Sequence, residues 1–270
     1  MDVIIDSDIG DDITDAISLV YALKSRLNIK AILSNNNHTI ARAKIIHKLS
    51  NKIPVYSGIN KGKGRLTRQK AFKNYNPKIK SIKDNLNFFK KLFKEKIIYI
   101  SLGTLSNIYY FLKNIPDFEN NAKVIMMGGS IKKDYHGKNK KKAEWNIYCD
   151  IKSAQNVLKS KLDITMLTLD TTWNLILEEK YIDTITKSKN KMNQKLIELY
   201  KIWKQTHRQK VIQYDSPVIA YALKKQLFKT KYYNLDINNK GHIIKGNKNI
   251  KVITKIDKTK FQEHFIKTIQ

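Results

Sequence analysis

The sequence predicts an α/β fold: one open, mostly parallel sheet flanked by helices, in a single domain over residues 1–270. Three observations carry this expectation. Short apolar runs recur along the chain with helical segments between them, the pattern of βαβ units. With 270 residues, 41% of them hydrophobic, the chain can bury a substantial core, and its 4 prolines announce no linker. Polar, glycine-bearing turns follow the apolar runs, where open sheets gather their ligand-binding loops.

In order, Val3-Ile4-Ile5 reads as a short buried strand, and the spacing from Ala16 to Leu23 is that of an amphipathic helix. Further strands are expected at 31–34, 54–56, 97–101, 123–127 and 164–169. Helices are expected around 41–50, 82–93, 105–112, 152–158, 192–204 and 217–227. Near the C-terminus, 232–236, 241–245 and 250–254 read as hairpin strands, with Asn238-Asn239 and Gly246 as turn residues. The loops after Ile5, Ser34, Ser101, Met127 and Leu169 should then meet in one crevice.

Composition bounds the function. The formal net charge is +29, supplied almost wholly by lysine, with Arg26, Arg42, Arg65, Arg68 and Arg208 the only arginines. Bidentate phosphate recognition draws on arginine, and the joint abundance of Lys, Asn and Ile reads as a compositional bias. A nucleic-acid partner is therefore possible but not favoured; the dense lysines between Lys132 and Lys142 read as a solvated loop. The single cysteine, Cys149, allows no internal disulfide. With neither a signal-peptide pattern nor an apolar run long enough to span a bilayer, a soluble, cytoplasmic protein is expected, with no membrane partner.

The chemistry concentrates in Asp6-Ser7-Asp8-Ile9-Gly10-Asp11-Asp12-Ile13-Thr14-Asp15, where five carboxylates follow the first strand. Oxygen-rich loops of this kind suit a hard cation such as Ca²⁺ or Mg²⁺. Two alternatives stay open on the loop alone: capping of the next helix, and an aspartyl phosphatase pair at Asp6 and Asp8. Later loops add Asn35-Asn36-Asn37-His38, Gly103-Thr104-Leu105-Ser106-Asn107 and Gly128-Gly129-Ser130. In Ala143-Glu144-Trp145-Asn146 the two polar residues would share one side of an extended segment. Asp215, before Ser216-Pro217, reads most simply as an N-cap. His47, His136, His242 and His264 have no zinc-ligand spacing.

Taken in order from Asp6 to about Ala220, these segments resemble the calcium-dependent nucleoside hydrolases, including the inosine-uridine-preferring enzymes. The acidic stretch resembles the family's DTDIGDDIDDA motif, Val55-Tyr56-Ser57-Gly58 the segment after its third strand, and Gly103 to Asn107 its GPLTN motif. Met126-Met127-Gly128-Gly129 resembles its MGG turn, Ala143 to Asn146 its AEFN segment, and Asp215 its C-terminal aspartate. A phosphatase explains none of these later elements.

The resemblance implies a Rossmann-like sheet of the nucleoside hydrolase fold and cleavage of ribonucleosides to base and ribose by a Ca²⁺-activated water. It implies Asp8, Asp15, Asp215 and the carbonyl of Leu102 as metal ligands, with Asp8 also accepting the water's proton. Asn37, Glu144 and Asn146 would bond the ribose, near Met127, and the protein would assemble as a homodimer or homotetramer. Two departures stand out. Thr14 replaces an aspartate that in the family binds a ribose hydroxyl, and Tyr214 replaces a histidine that protonates the departing purine. A phenol, with its ordinary pKa near ~10, donates a hydrogen bond but is a poor acid at neutral pH. Trp203 and His207 are candidates to stack on or protonate the base, although an aromatic at helical spacing ordinarily packs in the core and His207 would ordinarily face solvent. A second function class is a weakened relative that binds nucleosides or nucleic acid without turning them over.

Overall fold

Strand and helix alternate at the start of the chain in the computed structural model, which describes residues 2–50, 52–64, 66, 72, 74–207 and 209–270. The chain opens with β1 (Asp2–Ser7), α1 (Ile13–Lys24), β2 (Asn28–Ser34), α2 (Thr39–Ser50) and β3 (Val55–Ser57). Next come β4 (Lys80–Ser81), α3 (Leu86–Leu92), β5 (Ile97–Ser101), α4 (Ser106–Asn114), α5 (Phe118–Asn121) and β6 (Ala122–Met127). A helical stretch follows: α6 (Trp145–Cys149), α7 (Ile151–Lys159), then β7 (Asp163–Leu167), α8 (Leu169–Thr172), α9 (Glu179–Thr186), α10 (Lys191–Thr206) and α11 (Ser216–Leu223). The end is β8 (Phe228–Ile237), β9 (Ile243–Lys245), β10 (Lys248–Ile256) and α12 (Lys258–Ile269).

The ten strands of the described residues join one sheet in the order β4-β3-β2-β1-β5-β6-β7-β10-β8-β9. Pairing is parallel from β4 through β10 and antiparallel only for β8 against β10 and β9. The central strands are buried on both faces, which is why they are continuous apolar runs rather than alternating ones. In β1, Val3 and Ile5 face one core layer and Ile4 the other. The first layer takes its helix residues from α1, α2 and α8 to α12, and the second from α3 to α7.

The chain leaves β1 for β2 on one side and later returns to pair β5 on its other side. That reversal makes the carboxyl ends of β1 and β5 the switch point, the place where an open sheet leaves a crevice. Of the expected hairpin strands, β8 and β9 do form a hairpin, while β10 also pairs parallel with β7 and so ties it to the main sheet. The expected helix at 82–93 starts later, at Leu86, and α12 has no counterpart among the expected elements. Phe261, Phe265 and Ile269 of α12, all fully buried, recur every fourth residue. Burying each contributes about 1.5–3 kcal/mol. No helix among the described residues is long and apolar enough to cross a membrane.

Candidate active site

The acidic loop turns at Gly10, whose φ of +123° is one that L side chains rarely adopt. A Cβ there would also meet Leu66 Cδ1 at 2.5 Å. Beyond the turn, Asp12 caps α1 by accepting from the Thr14 N–H at 3.0 Å. Asp6 points the other way, into the sheet: its carboxylate accepts from Asn35 Nδ2 (2.8 Å), Asn107 Nδ2 (3.0 Å) and Tyr99 Oη (2.6 Å). Burial pushes the Asp6 carboxyl up to about 7 against the pull of those three donors.

Asp8, Asp15 and Asp215 each have one oxygen held by a neutral donor. Asn36 Nδ2 donates to Asp8 Oδ2 (3.0 Å), Ser7 Oγ to Asp15 Oδ1 (2.7 Å), and Thr14 Oγ1 to Asp215 Oδ2 (2.9 Å). Burial raises all three carboxyls above their ordinary range; for Asp15, repulsion from Asp8 and Asp215 adds to it. Asp215 occupies the N-cap position of α11 without a capping bond, so the expected capping role does not hold. Its side chain is turned instead toward α1, where Ser18 Oγ and Ser216 Oγ form a second buried contact at 2.8 Å.

Glu144 and Asn146 do not share an extended segment, as the sequence suggested: Glu144, itself extended, is the N-cap of α6, and Asn146 lies inside that helix. The Glu144 carboxylate accepts from the N–H groups of Asn146 (3.0 Å), Ile147 (3.4 Å) and Gly129 (3.0 Å), the last presented by a turn with φ +86°. Burial still lifts the Glu144 carboxyl to about 7. Asn146, in the first turn of α6, donates to the carbonyls of Leu102 and Met127, both at 3.2 Å. One amide thus ties the loop after β5 to the end of β6.

These groups converge on a cavity of about 1240 Å³. Asp8, Thr14, Asp15, Leu102 and Met127 line it, and so do Glu144, Asn146, His207, Tyr214 and Asp215. Two candidate residues stay outside. Trp203 is a core residue, 1% exposed. Asn37 is turned away because Asn36 takes a left-handed φ of +68°. Asn37 then bonds the Gly64 carbonyl and Arg42 Nη2, and Asn36 reaches Asp8 instead. The loop expected after Leu169 also stays back: Asp170 braces the loop after β6 by accepting from the N–H groups of Ile131, Lys132 and Lys133.

Sequence reasoning missed Arg42, which clamps the acidic loop. Fully buried, it donates to the backbone carbonyls of Asp8, Ile9 (3.0 Å) and Asn37 (2.8 Å) and pairs with Asp11 (3.3 Å). The signal was present, since Arg42 falls on the buried stripe of α2 with Ile45, Ile46 and Leu49. Tyr135, in T-shaped contact with Tyr214 at 5.8 Å, and Trp145 and Tyr148 of α6 complete the aromatic part of the wall. Burial raises the Tyr214 and Tyr135 phenols above their ordinary value.

Fold and site together define an α/β protein with a carboxylate floor at the switch point of its sheet. The chain belongs to the inosine-uridine preferring nucleoside hydrolase family, whose model matches residues 3–263. A probable ribonucleoside hydrolase of Dictyostelium discoideum is 26% identical over 199 residues, which are 65% of this chain and 58% of that one. A non-specific ribonucleoside hydrolase of Salmonella schwarzengrund is 27% identical over 154 residues, 56% of this chain and 49% of that one. The chain spans about half the length of the curated relatives it matches. The fold is similar to that of a purine-preferring ribonucleoside hydrolase from Gardnerella vaginalis, with a TM-score of 0.82, 20% identity, and coverage of 100% of this chain and 98% of that chain.

Proposed function

We propose that the protein hydrolyses the N-glycosidic bond of ribonucleosides, releasing free base and ribose for salvage, with the whole chain, 1–270, acting as one unit. The observation that carries this reading is convergence: Asp8 and Asp15, Asp215, and Glu144 with Asn146 come from three distant segments to one cavity, in a chain of this family. Cleavage of the C1′–N bond develops positive charge on the sugar. A floor of carboxylates and amide oxygens favours that cation over the neutral substrate.

The donor set fits a hard divalent cation. Asp8, Asp15, Asp215 and the Leu102 carbonyl offer only oxygen, and the raised carboxyls gain from a positive neighbour. Among the described residues no cluster of three or more His, Cys, Asp or Glu side chains forms a ready-made cage, so the fit rests on donor chemistry. We propose Ca²⁺ as the ion; when bound, it lowers the pKa of a coordinated water. Asp8 accepts that water's proton. Glu144 and Asn146 bond ribose hydroxyls beside Met127. Thr14, its proton committed to Asp215, presents only oxygen lone pairs to the sugar. Tyr214 offers the base a hydrogen bond. Asn37, facing Gly64, has no part in the sugar contacts.

The test is ribose release from a panel of purine and pyrimidine nucleosides with Ca²⁺ supplied. Turnover of at least one nucleoside is expected; no release by protein that binds the cation would overturn the reading. The runner-up, a binding protein with weakened chemistry, is motivated by Thr14, Tyr214 and the +29 charge. It predicts salt-sensitive retention of RNA or DNA with a steep log-log slope. A homodimer or homotetramer, measurable by light scattering, and a cytoplasmic site of action belong to the same proposal.

A further inference from the structure

The cavity wall beside Glu144 is basic, which a neutral nucleoside does not require. Lys142, Lys240 and His242 all line it, from two segments far apart in the chain. In a chain so rich in lysine, position rather than number is informative. Two close backbone approaches set that position. A Cβ on Gly241, where φ is +79°, would sit 3.3 Å from that of Ala143. A Cβ on Gly129, whose N–H meets Glu144, would sit 3.1 Å from Ile243 Cγ1. The chain neighbours of these contacts, Lys142 on one side and Lys240 with His242 on the other, are therefore held together next to Glu144.

The turn between β8 and β9 that carries Lys240 and His242 is braced. Asn238 Oδ1 accepts from the N–H groups of Lys240 (2.9 Å) and His242 (3.0 Å). Gln155 of α7 donates to the Ile237 carbonyl (3.0 Å) and to Asn239 Oδ1 (3.1 Å). Neither ammonium is committed to an ion pair among the described residues: Lys142 stands over the Tyr135 ring, 5.4 Å from its centroid, and Lys240 has no carboxylate partner. Tyr135 Oη accepts from the Trp145 N–H at 2.8 Å, which leaves its own proton for a further acceptor. We propose that the preferred substrate is a nucleoside 5′-monophosphate, its phosphate held by Lys142, Lys240 and His242; this rests on the hydrolase reading above.

A phosphate monoester carries about −1.5 to −2 charges at neutral pH, and a strongly basic protein draws such an anion toward its mouth. Covalent geometry selects the 5′ position. With C1′ above Asp8, the 2′- and 3′-oxygens face the carboxylate floor, where a phosphate is repelled. C5′ hangs from C4′, across the ring oxygen from C1′, and its substituent can reach outward. Glu144 stands nearby, but three N–H groups share its charge. A cavity of about 1240 Å³ leaves room for the added group, since pockets for small ligands run roughly 300–1,000 Å³. In the reaction, the water oxygen bonds to C1′ and the C1′–N electron pair leaves with the base nitrogen, which takes a proton from solvent. Asp8 returns the water's proton to solvent. The products are free base and ribose 5-phosphate, with the phosphate ester untouched.

The test compares base release from uridine and inosine with release from their 5′- and 3′-monophosphates, with Ca²⁺ supplied. The 5′-monophosphate should show a kcat/KM about tenfold or more above that of its nucleoside. Its KM should rise with added salt while the nucleoside's does not. Lys142→Met combined with Lys240→Met should lower kcat/KM on the 5′-monophosphate by roughly 10²-fold, mainly through KM. The same variant should change nucleoside turnover by less than about threefold, which also shows that it is folded. Equal kcat/KM for nucleoside and 5′-monophosphate, a preference for the 3′-monophosphate, or equal losses on nucleoside and nucleotide in the double variant would overturn the assignment and leave the hydrolase reading in place. A wild-type protein inert on nucleosides and nucleotides alike would instead sink the hydrolase reading, and this proposal with it.

Discussion

Adding Ca²⁺ to EDTA-treated protein is expected to raise its unfolding temperature, and to raise it more in mild base than in mild acid. Asp8, Asp15 and Asp215 have carboxyls raised by burial; repulsion from Asp8 adds to it at Asp15 and Asp215, while Arg42 opposes it at Asp8. A group whose folded value is raised stabilises the fold fully only below its unfolded value, near ~3.9 for aspartate, and loses that contribution as pH rises through the folded value. The EDTA-treated protein should therefore weaken as the pH rises from mild acid to mild base. A cation that neutralises the three charges removes this loss. At a hundred times its dissociation constant, a ligand specific to the folded state adds about 2.7 kcal/mol. For a chain of this size that is an increase in Tm of roughly 5–10 °C. The assay is differential scanning fluorimetry with and without Ca²⁺ at two pH values. Asp215→Asn should raise Tm in EDTA by relieving repulsion and lose most of the Ca²⁺ increment. An unmoved wild-type Tm, or an equal increment in Asp215→Asn, would refute the reasoning.

Three further substitutions test the supports of the site. Arg42→Met keeps bulk but strands the buried carbonyls of Asp8, Ile9 and Asn37; urea unfolding should show a loss of about 3–5 kcal/mol. Thr14→Val removes the donor that holds Asp215 Oδ2; it should cost about 1.5–3 kcal/mol at neutral pH and weaken the Ca²⁺ shift, whereas Thr14→Ser keeps both. Trp203→Ala should cost about 3–5 kcal/mol by opening the core. Trp203→Phe should cost much less, because the buried Nε1 has no hydrogen-bond partner to lose among the described residues.

The strands were legible because a sheet covered on both faces demands continuous apolar runs, and 97–101 matches β5 end to end. α12 was not, because its buried Phe261, Phe265 and Ile269 are spread among lysines and polar residues in a chain rich in lysine throughout. In the site, five carboxylates in ten residues and the ordered later segments marked the acidic floor. What remained hidden depends on backbone conformation or on distant partners. One left-handed residue decides that Asn36 rather than Asn37 meets Asp8. Glu144 is aimed by its place as the cap of α6, which puts Asn146 inside the helix. Asp215 makes no capping bond, its backbone being helical at that position, and its carboxylate is instead bonded by Thr14, 201 residues earlier in the chain. Trp203, inside α10, and His207, the extended residue that caps its end, divide between core and cavity.

The central claim is that this cavity splits nucleosides with Asp8 as the base. Its most direct test is proton NMR of uridine and inosine incubated with the Ca²⁺-loaded protein and with Asp8→Asn. Equal amounts of free base and ribose should appear with the wild type, without phosphate in the buffer. They should be absent with the variant, whose Tm shows it folded. Intact nucleosides after incubation with the wild type, or undiminished ribose release by Asp8→Asn, would contradict the account.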